Sequence, residues 1–284
     1  MTKGSDGTPV SMIERVVRVL DTFDGATRLS LAQVVQRSGL PRSSTHRILD
    51  QLVAVRWLSR EGNDYRLGIR MLELGSLALR QDALHDAALP VMRRLHATTR
   101  QVVHLAVLDR TDIVYLEKIG DPPHMDLPSR IGGRAPAYCT GVGKAILAYA
   151  DERTVQEVLD GGLRARTRFT ITDRTRFLRE LRQVRERGAA FDREEAVQGV
   201  GCVAAAVRGP GKAVAALSVC GPIRQLDLNR LAPAVQQSAL RIWRAVGLSA
   251  PRPGRNGGGP AASGDWPAGM LDAWATWPRL TDWF

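Results

Sequence analysis

The hydrophobic positions fall into runs whose period changes along the chain. From Ser11 to Asp24 the apolar residues Ile13, Val16, Val17, Val19, Leu20 and Phe23 recur at helical spacing, which predicts a packing helix. A second, shorter helical pattern covers Leu29 to Gly39 and turns Leu31, Val34 and Val35 inward. Ser30 is placed to cap its start, and Gly39 to end it in the left-handed conformation. A third begins around Pro41, a residue that costs no hydrogen bond in a first helical turn, and gathers Thr45, Ile48, Leu49 and Leu52 on one face. Two helices joined by a tight glycine turn make a helix-turn-helix. After them Trp57 to Arg60 and Tyr65 to Leu67 read as two short strands around the turn Glu61-Gly62-Asn63-Asp64, the wing of a winged helix.

The outward face of the third helix carries Ser43, Arg47 and Asp50, flanked by Arg42, Ser44 and His46. Short hydroxyls and forked guanidinium groups at the start of a helix can reach base edges and phosphates in a major groove. Arg42, Ser43, Ser44, Thr45, His46 and Arg47 are therefore the candidate operator contacts, with Arg60 and Arg66 on the wing placed for phosphates. An ordinary solvated helix face is the plain alternative. The ordered succession of turn, helix and hairpin favours DNA.

Beyond the wing, Leu67 to Ala88 again reads helical, with Ile69, Met71, Leu72, Leu74, Leu77, Leu79 and Leu84. Such a stripe is too apolar to stand alone, so it is expected to pack on a second copy, or else on its own body. Leu89-Pro90 reads as the next boundary, followed by a helix over Val91 to Thr99. Strands are predicted at Val102 to Leu108 and Ile113 to Ile119 around a turn at Asp109 to Thr111. Helices at Gly143 to Ala150, Asp151 to Asp160 and Asp173 to Arg187 precede strands at Ala189 to Phe191, Cys202 to Val207 and Lys212 to Val219. A long helix over Leu226 to Val246 completes the pattern. Strands and helices without regular alternation predict an α+β domain, an antiparallel sheet flanked by helices. The expected division is a flexible N-terminus (1–10), a winged helix-turn-helix (11–68), a linker helix (69–88), this α+β domain (89–248) and a flexible Pro/Gly-rich tail (249–284). That tail holds Trp266, Trp274, Trp277 and Trp283, read either as a docked segment or as a mobile extension.

Composition adds less. In 284 residues, 44% are apolar and the formal net charge is +11. The excess is arginine, which suits phosphate contacts but also follows from a G/C-rich coding sequence. Cys139, Cys202 and Cys220 stand far apart without ligand spacing, so no zinc site, disulfide framework or other metal is expected, and no cofactor motif occurs. No apolar run approaches membrane-spanning length and the first residues are polar, so a soluble cytoplasmic protein is the expectation.

The stretch Ala137 to Ala145 is a glycine-rich turn before a helix, a general arrangement for holding an anion. It is not a P-loop, because Tyr138 stands at that pattern's first glycine and Ala145 at its magnesium-binding hydroxyl. Downstream lie Asp192-Arg193-Glu194-Glu195, Gly201-Cys202-Val203-Ala204-Ala205 and Ser218-Val219-Cys220-Gly221-Pro222. Asp192 reads equally as a turn residue, and the cysteines as small core fillers. With the winged-helix stretch and Thr140-Gly141-Val142-Gly143-Lys144, these blocks make the chain from about Glu14 to Val246 resemble the IclR family of bacterial transcriptional regulators. The resemblance implies a DNA-binding winged helix, a linker helix and a GAF-like domain holding a small effector, often an organic acid, in a homodimer or homotetramer. It maps effector contacts onto Gly141, Val142, Asp192, Cys202, Ser218 and Cys220. Cys220 stands where some members have serine. The function so implied is a ligand-responsive regulator that binds an operator and a small molecule, with a carboxylate as the expected chemical type. One rival is an architectural DNA-binding protein with an empty effector domain. Another is an enzyme with Cys139 or Cys202 as nucleophile, but His104 and His124, the histidines that follow the Val91 helix, sit in no catalytic motif, so no enzyme is expected.

Overall fold

The computed structural model describes residues 11–121, 127–211 and 213–249. The expectations for 1–10, for His124, for Lys212 at a strand start and for the tryptophan-bearing tail lie outside the described residues. The chain divides into two compact units between Gln81 and Asp82.

The first unit comprises α1 (Met12–Asp21), β1 (Leu29–Ser30), α2 (Leu31–Ser38), α3 (Arg42–Ala54), β2 (Leu58–Glu61), β3 (Asp64–Leu67) and α4 (Ile69–Arg80). Local chemistry sets the ends. Ser11 with Glu14 and Ser30 with Gln33 form reciprocal capping boxes, and Gly39 closes α2 at φ 67°. Val19, Phe23, Leu29, Val34, Leu40, Ile48, Leu49, Leu52, Leu58 and Tyr65 make one core. β2 and β3 pair antiparallel as the wing, and β1, too short to show a period in sequence, adds a third strand in the order β1-β3-β2.

One expected boundary moves. The linker helix ends at Arg80, and a second helix, α5 (Ala83–Thr99), runs through Pro90 instead of starting after it. Asp82 caps α5 by accepting from the Leu84 N–H at 2.9 Å. Proline inside a helix forfeits one backbone bond. Here the buried stripe Leu84, Ala88, Met92 and Leu95 continues across it and outweighs that loss.

The second unit continues with β4 (Val102–Asp109), β5 (Asp112–Ile119), β6 (Arg134–Pro136), a 3₁₀ turn over Ala137–Cys139, α6 (Gly141–Leu147) and α7 (Glu152–Asp160). It ends with α8 (Arg174–Arg187), β7 (Ala190–Arg193), β8 (Val200–Val207), β9 (Ala215–Pro222) and α9 (Leu228–Ser249). All six strands form one antiparallel sheet, ordered β6-β5-β4-β9-β8-β7. Side chains alternate between its faces. Val103, Leu105, Val203, Ala205, Val207, Leu217 and Val219 pack with α5 and α9. Ala106, Ala190, Ala204 and Ala216 pack with α6, α7 and α8 on the other face. That second face also carries the polar residues.

Candidate functional site

In α3 the core face is Thr45, Ile48, Leu49 and Leu52, all buried. Arg42, Ser43, His46 and Arg47 are exposed and Ser44 half-buried, so one polar surface joins them. Thr45 does not belong to it. Its side chain is fully buried and its hydroxyl donates to the Pro41 carbonyl at 3.1 Å, one helical turn back, so it holds the helix start and is no DNA contact. His46 Nδ1 lies 3.1 Å from the Asp50 carboxylate. On the wing, Arg60 donates to the Gly62 carbonyl at 3.0 Å and stacks over the Tyr65 ring. Arg66 donates to Ser59 Oγ at 3.0 Å and pairs with Glu61 at 2.6 Å. Glu61 also holds Arg28, just before β1, at 3.0 Å, a cation beside the wing that the linear sequence does not flag. A phosphate drawn to Arg66 must therefore compete with Glu61.

In the second unit, antiparallel register converts sequence spacing into rows. Asp192, Cys202 and Cys220 stand opposite one another on β7, β8 and β9. Ser218 and His104 form the neighbouring row across β9 and β4. All point to the face covered by α6, and together with Gly141, Val142, Thr140, Cys139 and Tyr115 they line a cavity of about 140 Å³. Arg134 and Arg166 also line it. Every effector residue expected from sequence, namely Gly141, Val142, Asp192, Cys202, Ser218 and Cys220, reaches this one cavity.

The polar wall is held in place. Asp192 is buried and accepts from the Glu195 N–H at 2.7 Å; burial pushes its carboxyl up to about 7, against the pull of Lys144. His104 is 2% exposed, donates or accepts at Ser129 Oγ over 2.8 Å through Nε2, and stacks obliquely on Tyr115 at 4.9 Å. Its Nδ1 has no hydrogen-bond partner among the described residues. Ser218 Oγ lies 3.6 Å from Cys220 Sγ. Burial, with Asp192 nearby, pushes Cys139 up to about 12, and Cys202 is also raised, chiefly by its hydrogen bond to Cys220. A cysteine nucleophile needs the reverse.

The glycine turn differs from a phosphate cradle. The Gly143 N–H is already taken by Thr140 Oγ at 3.1 Å, which caps α6. The turn's glycines serve close approach instead: a Cβ on Gly141 would meet Cys202 Sγ at 2.9 Å, and one on Gly143 the Ala137 carbonyl at 2.1 Å. Lys144, fully buried, donates to the Phe191 carbonyl at 2.6 Å and to the Glu195 carboxylate, tying α6 to the strand end beside Asp192. Sequence reasoning missed His104 as a wall residue, although a lone polar residue in the apolar run Val102 to Leu108 was its signal. Arg166 sits in a loop and gives no periodic signal.

Two family models account for most of the chain. The IclR helix-turn-helix domain matches residues 12–62, and the bacterial transcriptional regulator IclR C-terminal domain matches residues 76–244. The chain belongs to the IclR family. Within it, the chain is 33% identical over 226 residues to the HTH-type transcriptional regulator KdgR of Escherichia coli, covering 78% of this chain and 86% of that one. It is 32% identical over 249 residues to the E. coli regulator XynR, covering 85% and 99%. Among solved structures, an IclR homologue from Microbacterium hydrocarbonoxydans complexed with 4-hydroxybenzoate superposes with a TM-score of 0.77 at 31% identity, covering 84% of this chain and all (100%) of that one. The protein is thus an IclR-family transcriptional regulator, with a helix-turn-helix domain for DNA and a C-terminal domain for a small-molecule effector. Its relatives are named regulators, not enzymes. No helix among the described residues is long and apolar enough to cross a membrane.

Proposed function

We propose that this regulator binds a small carboxylic acid in the cavity between α6 and the sheet, and that the bound state changes its affinity for an inverted-repeat operator. The row Asp192, Cys202 and Cys220, beside Ser218 and His104, carries the reading. Three buried polar side chains, Asp192, Ser218 and His104, aimed into one cavity of an otherwise apolar layer are costly unless a ligand or water meets them. The cavity's 140 Å³ corresponds to about five waters, which suits a short-chain or single-ring acid. Ser218, the unpartnered His104 Nδ1 and the protonated form of Asp192 supply donors to a carboxylate, and Arg166 adds positive charge at the wall. The 4-hydroxybenzoate complex of the Microbacterium homologue supports an acid of this size. A lined cavity also speaks against the reading of an empty, packed-shut effector domain.

For DNA, Arg42, Ser43, Ser44, His46 and Arg47 contact base edges and nearby phosphates, while Arg60 and Arg66 contact phosphates from the wing. The assembly is a homodimer at least, acting in the cytoplasm where its operator lies. Its support is α4, which buries no residue and leaves Ile69 52%, Leu72 65% and Leu77 50% exposed. The test is calorimetry of a panel of keto, hydroxy and single-ring aromatic acids, 4-hydroxybenzoate included, on the parent chain and on Ser218→Ala. An acid that binds the parent, binds Ser218→Ala about tenfold more weakly and shifts operator affinity is expected. No binding by any acid, or unchanged binding by a folded Ser218→Ala, refutes the site.

A further inference from the structure

Cys202 and Cys220 are direct partners on β8 and β9, and the ladder says which kind of partners. The Ile223 N–H donates to the Gly199 carbonyl at 2.9 Å, so Gly199 and Ile223 form a hydrogen-bonded pair. Pro222, opposite Val200, has no N–H to give. Pair types alternate along an antiparallel ladder, which puts Cys202 and Cys220 at a non-hydrogen-bonded position. There the Cα atoms approach to about 4.5 Å and the side chains are closest, within the span a disulfide bridges. Ser218 Oγ stands 3.6 Å from the Cys220 sulfur, on the same wall. Both cysteines line the cavity, and His104, buried with Nδ1 unpartnered among the described residues, lines it next to them. Beside the Cys202 thiol and the His104 ring, the Cys220 thiol is pushed below its ordinary range despite its burial.

We infer that Cys202 and Cys220 form an oxidisable dithiol, a modification site for hydrogen peroxide whose disulfide weakens acid binding in the cavity. The second half rests on the effector assignment above; the first does not. The Cys220 thiolate attacks one peroxide oxygen, the O–O bond breaks, and hydroxide leaves to take a proton as water. The Cys220 sulfenic acid formed is then attacked by the Cys202 sulfur, whose proton goes with the departing hydroxyl as a second water. The two thiols lose two protons and two electrons, and one peroxide becomes two waters. The disulfide removes the Cys202 S–H donor and the Cys220 sulfur acceptor from the wall.

The test treats the full chain with hydrogen peroxide and reads intact mass and tryptic peptides. A loss of two hydrogens, reversed by dithiothreitol, is expected, with the peptides Glu194–Arg208 and Ala213–Arg224 joined. Cys220→Ser should show no such loss, and His104→Gln should slow it several-fold. 4-Hydroxybenzoate, measured on reduced and oxidised chain, should bind the oxidised form about tenfold more weakly. Oxygen addition without a disulfide, a bridge to Cys139, or loss of two hydrogens in Cys220→Ser overturns the dithiol. Equal binding to both forms overturns the regulatory half. A disulfide in a chain whose reduced form binds no acid of the panel removes the effector reading and the regulatory half with it, and leaves the dithiol standing.

Discussion

Replacing Lys144 with methionine removes the one cation that, among the described residues, pairs with the buried Glu195 carboxylate, and its cost follows from the geometry. Lys144 is fully buried; Glu195 is 6% exposed, and its Oε2 has no partner among the described residues. The ammonium donates to Glu195 and to the Phe191 carbonyl, with Glu180 at 3.8 Å. Glu180 cannot replace it, being itself an acid held by Arg187 at 2.7 Å. Without Lys144 a desolvated carboxylate is left unpaired, which costs about 3–5 kcal/mol. Methionine keeps most of the side-chain volume, so packing adds little. Burial already raises the Glu195 carboxyl, with Lys144 opposing the rise. Loss of the opposing charge raises it further, so Glu195 holds a proton in the folded variant that the unfolded chain releases above about pH 4.5. The deficit of Lys144→Met should thus be small near pH 4 and grow toward neutrality. Urea unfolding by circular dichroism measures it, with amide exchange in β8 and β9 assigning the transition to this unit. Lys144→Met/Glu195→Leu, which deletes both charges, should recover most of the loss. A single variant within about 1 kcal/mol of the parent at pH 7, or a double variant no better than the single, refutes the account.

Arg47→Ala should weaken operator binding by about 1–3 kcal/mol and relax preference at one base position, measured by titration on matched and mismatched operators; equal loss on every sequence would place Arg47 on the phosphates. Asp192, raised by burial from 3.8 to about 7, contributes stability that is present below about pH 4 and lost as pH rises to about 7. The stability of the parent relative to Asp192→Asn should fall through that window by at most about 4 kcal/mol and be flat above it, read by denaturation at stepped pH. Leu72→Glu on α4 should shift sedimentation from dimer to monomer at micromolar concentration, where an unchanged dimer would take α4 out of the interface.

What could be read in the sequence was whatever repeats or punctuates. Ser30, Gly39 and the stripe Ile48, Leu49, Leu52 define the helix-turn-helix because caps and a 3.6-residue period are local properties. β1 and β6, of two and three residues, are too short to carry a period of two. Pro90 misled because a local breaker was weighed without the tertiary stripe that overrides it. Thr45 carried two readings at once, core face and polar contact, and only burial separates them. Asp192, Cys202, Ser218 and Cys220 are proposed as effector contacts on motif resemblance, and they line one cavity. Their juxtaposition is a matter of strand register, which no window of sequence contains. Lys144 is the sharpest case, since a lysine in a glycine turn looks solvent-facing or anion-binding and is instead fully buried.

That burial ties the two sides of the cavity into one wall. Gly141 opens α6 on one side, and Asp192 stands one residue before the end of β7 on the other. Three residues after Gly141, Lys144 reaches the Phe191 carbonyl, just before Asp192, and Glu195, whose N–H donates to Asp192. The same turn lies tight on the sheet because Gly141 and Gly143 have no side chain to hold it away from Cys202 and Ala137. A ligand entering between them therefore meets donors and acceptors already fixed by buried bonds, so little ordering is charged against its binding. The charges that brace the cavity, Lys144 and Glu195, are not the groups proposed to touch the ligand. Loss of Lys144 should therefore act first on stability and only through it on affinity, whereas loss of Ser218 should act on affinity alone.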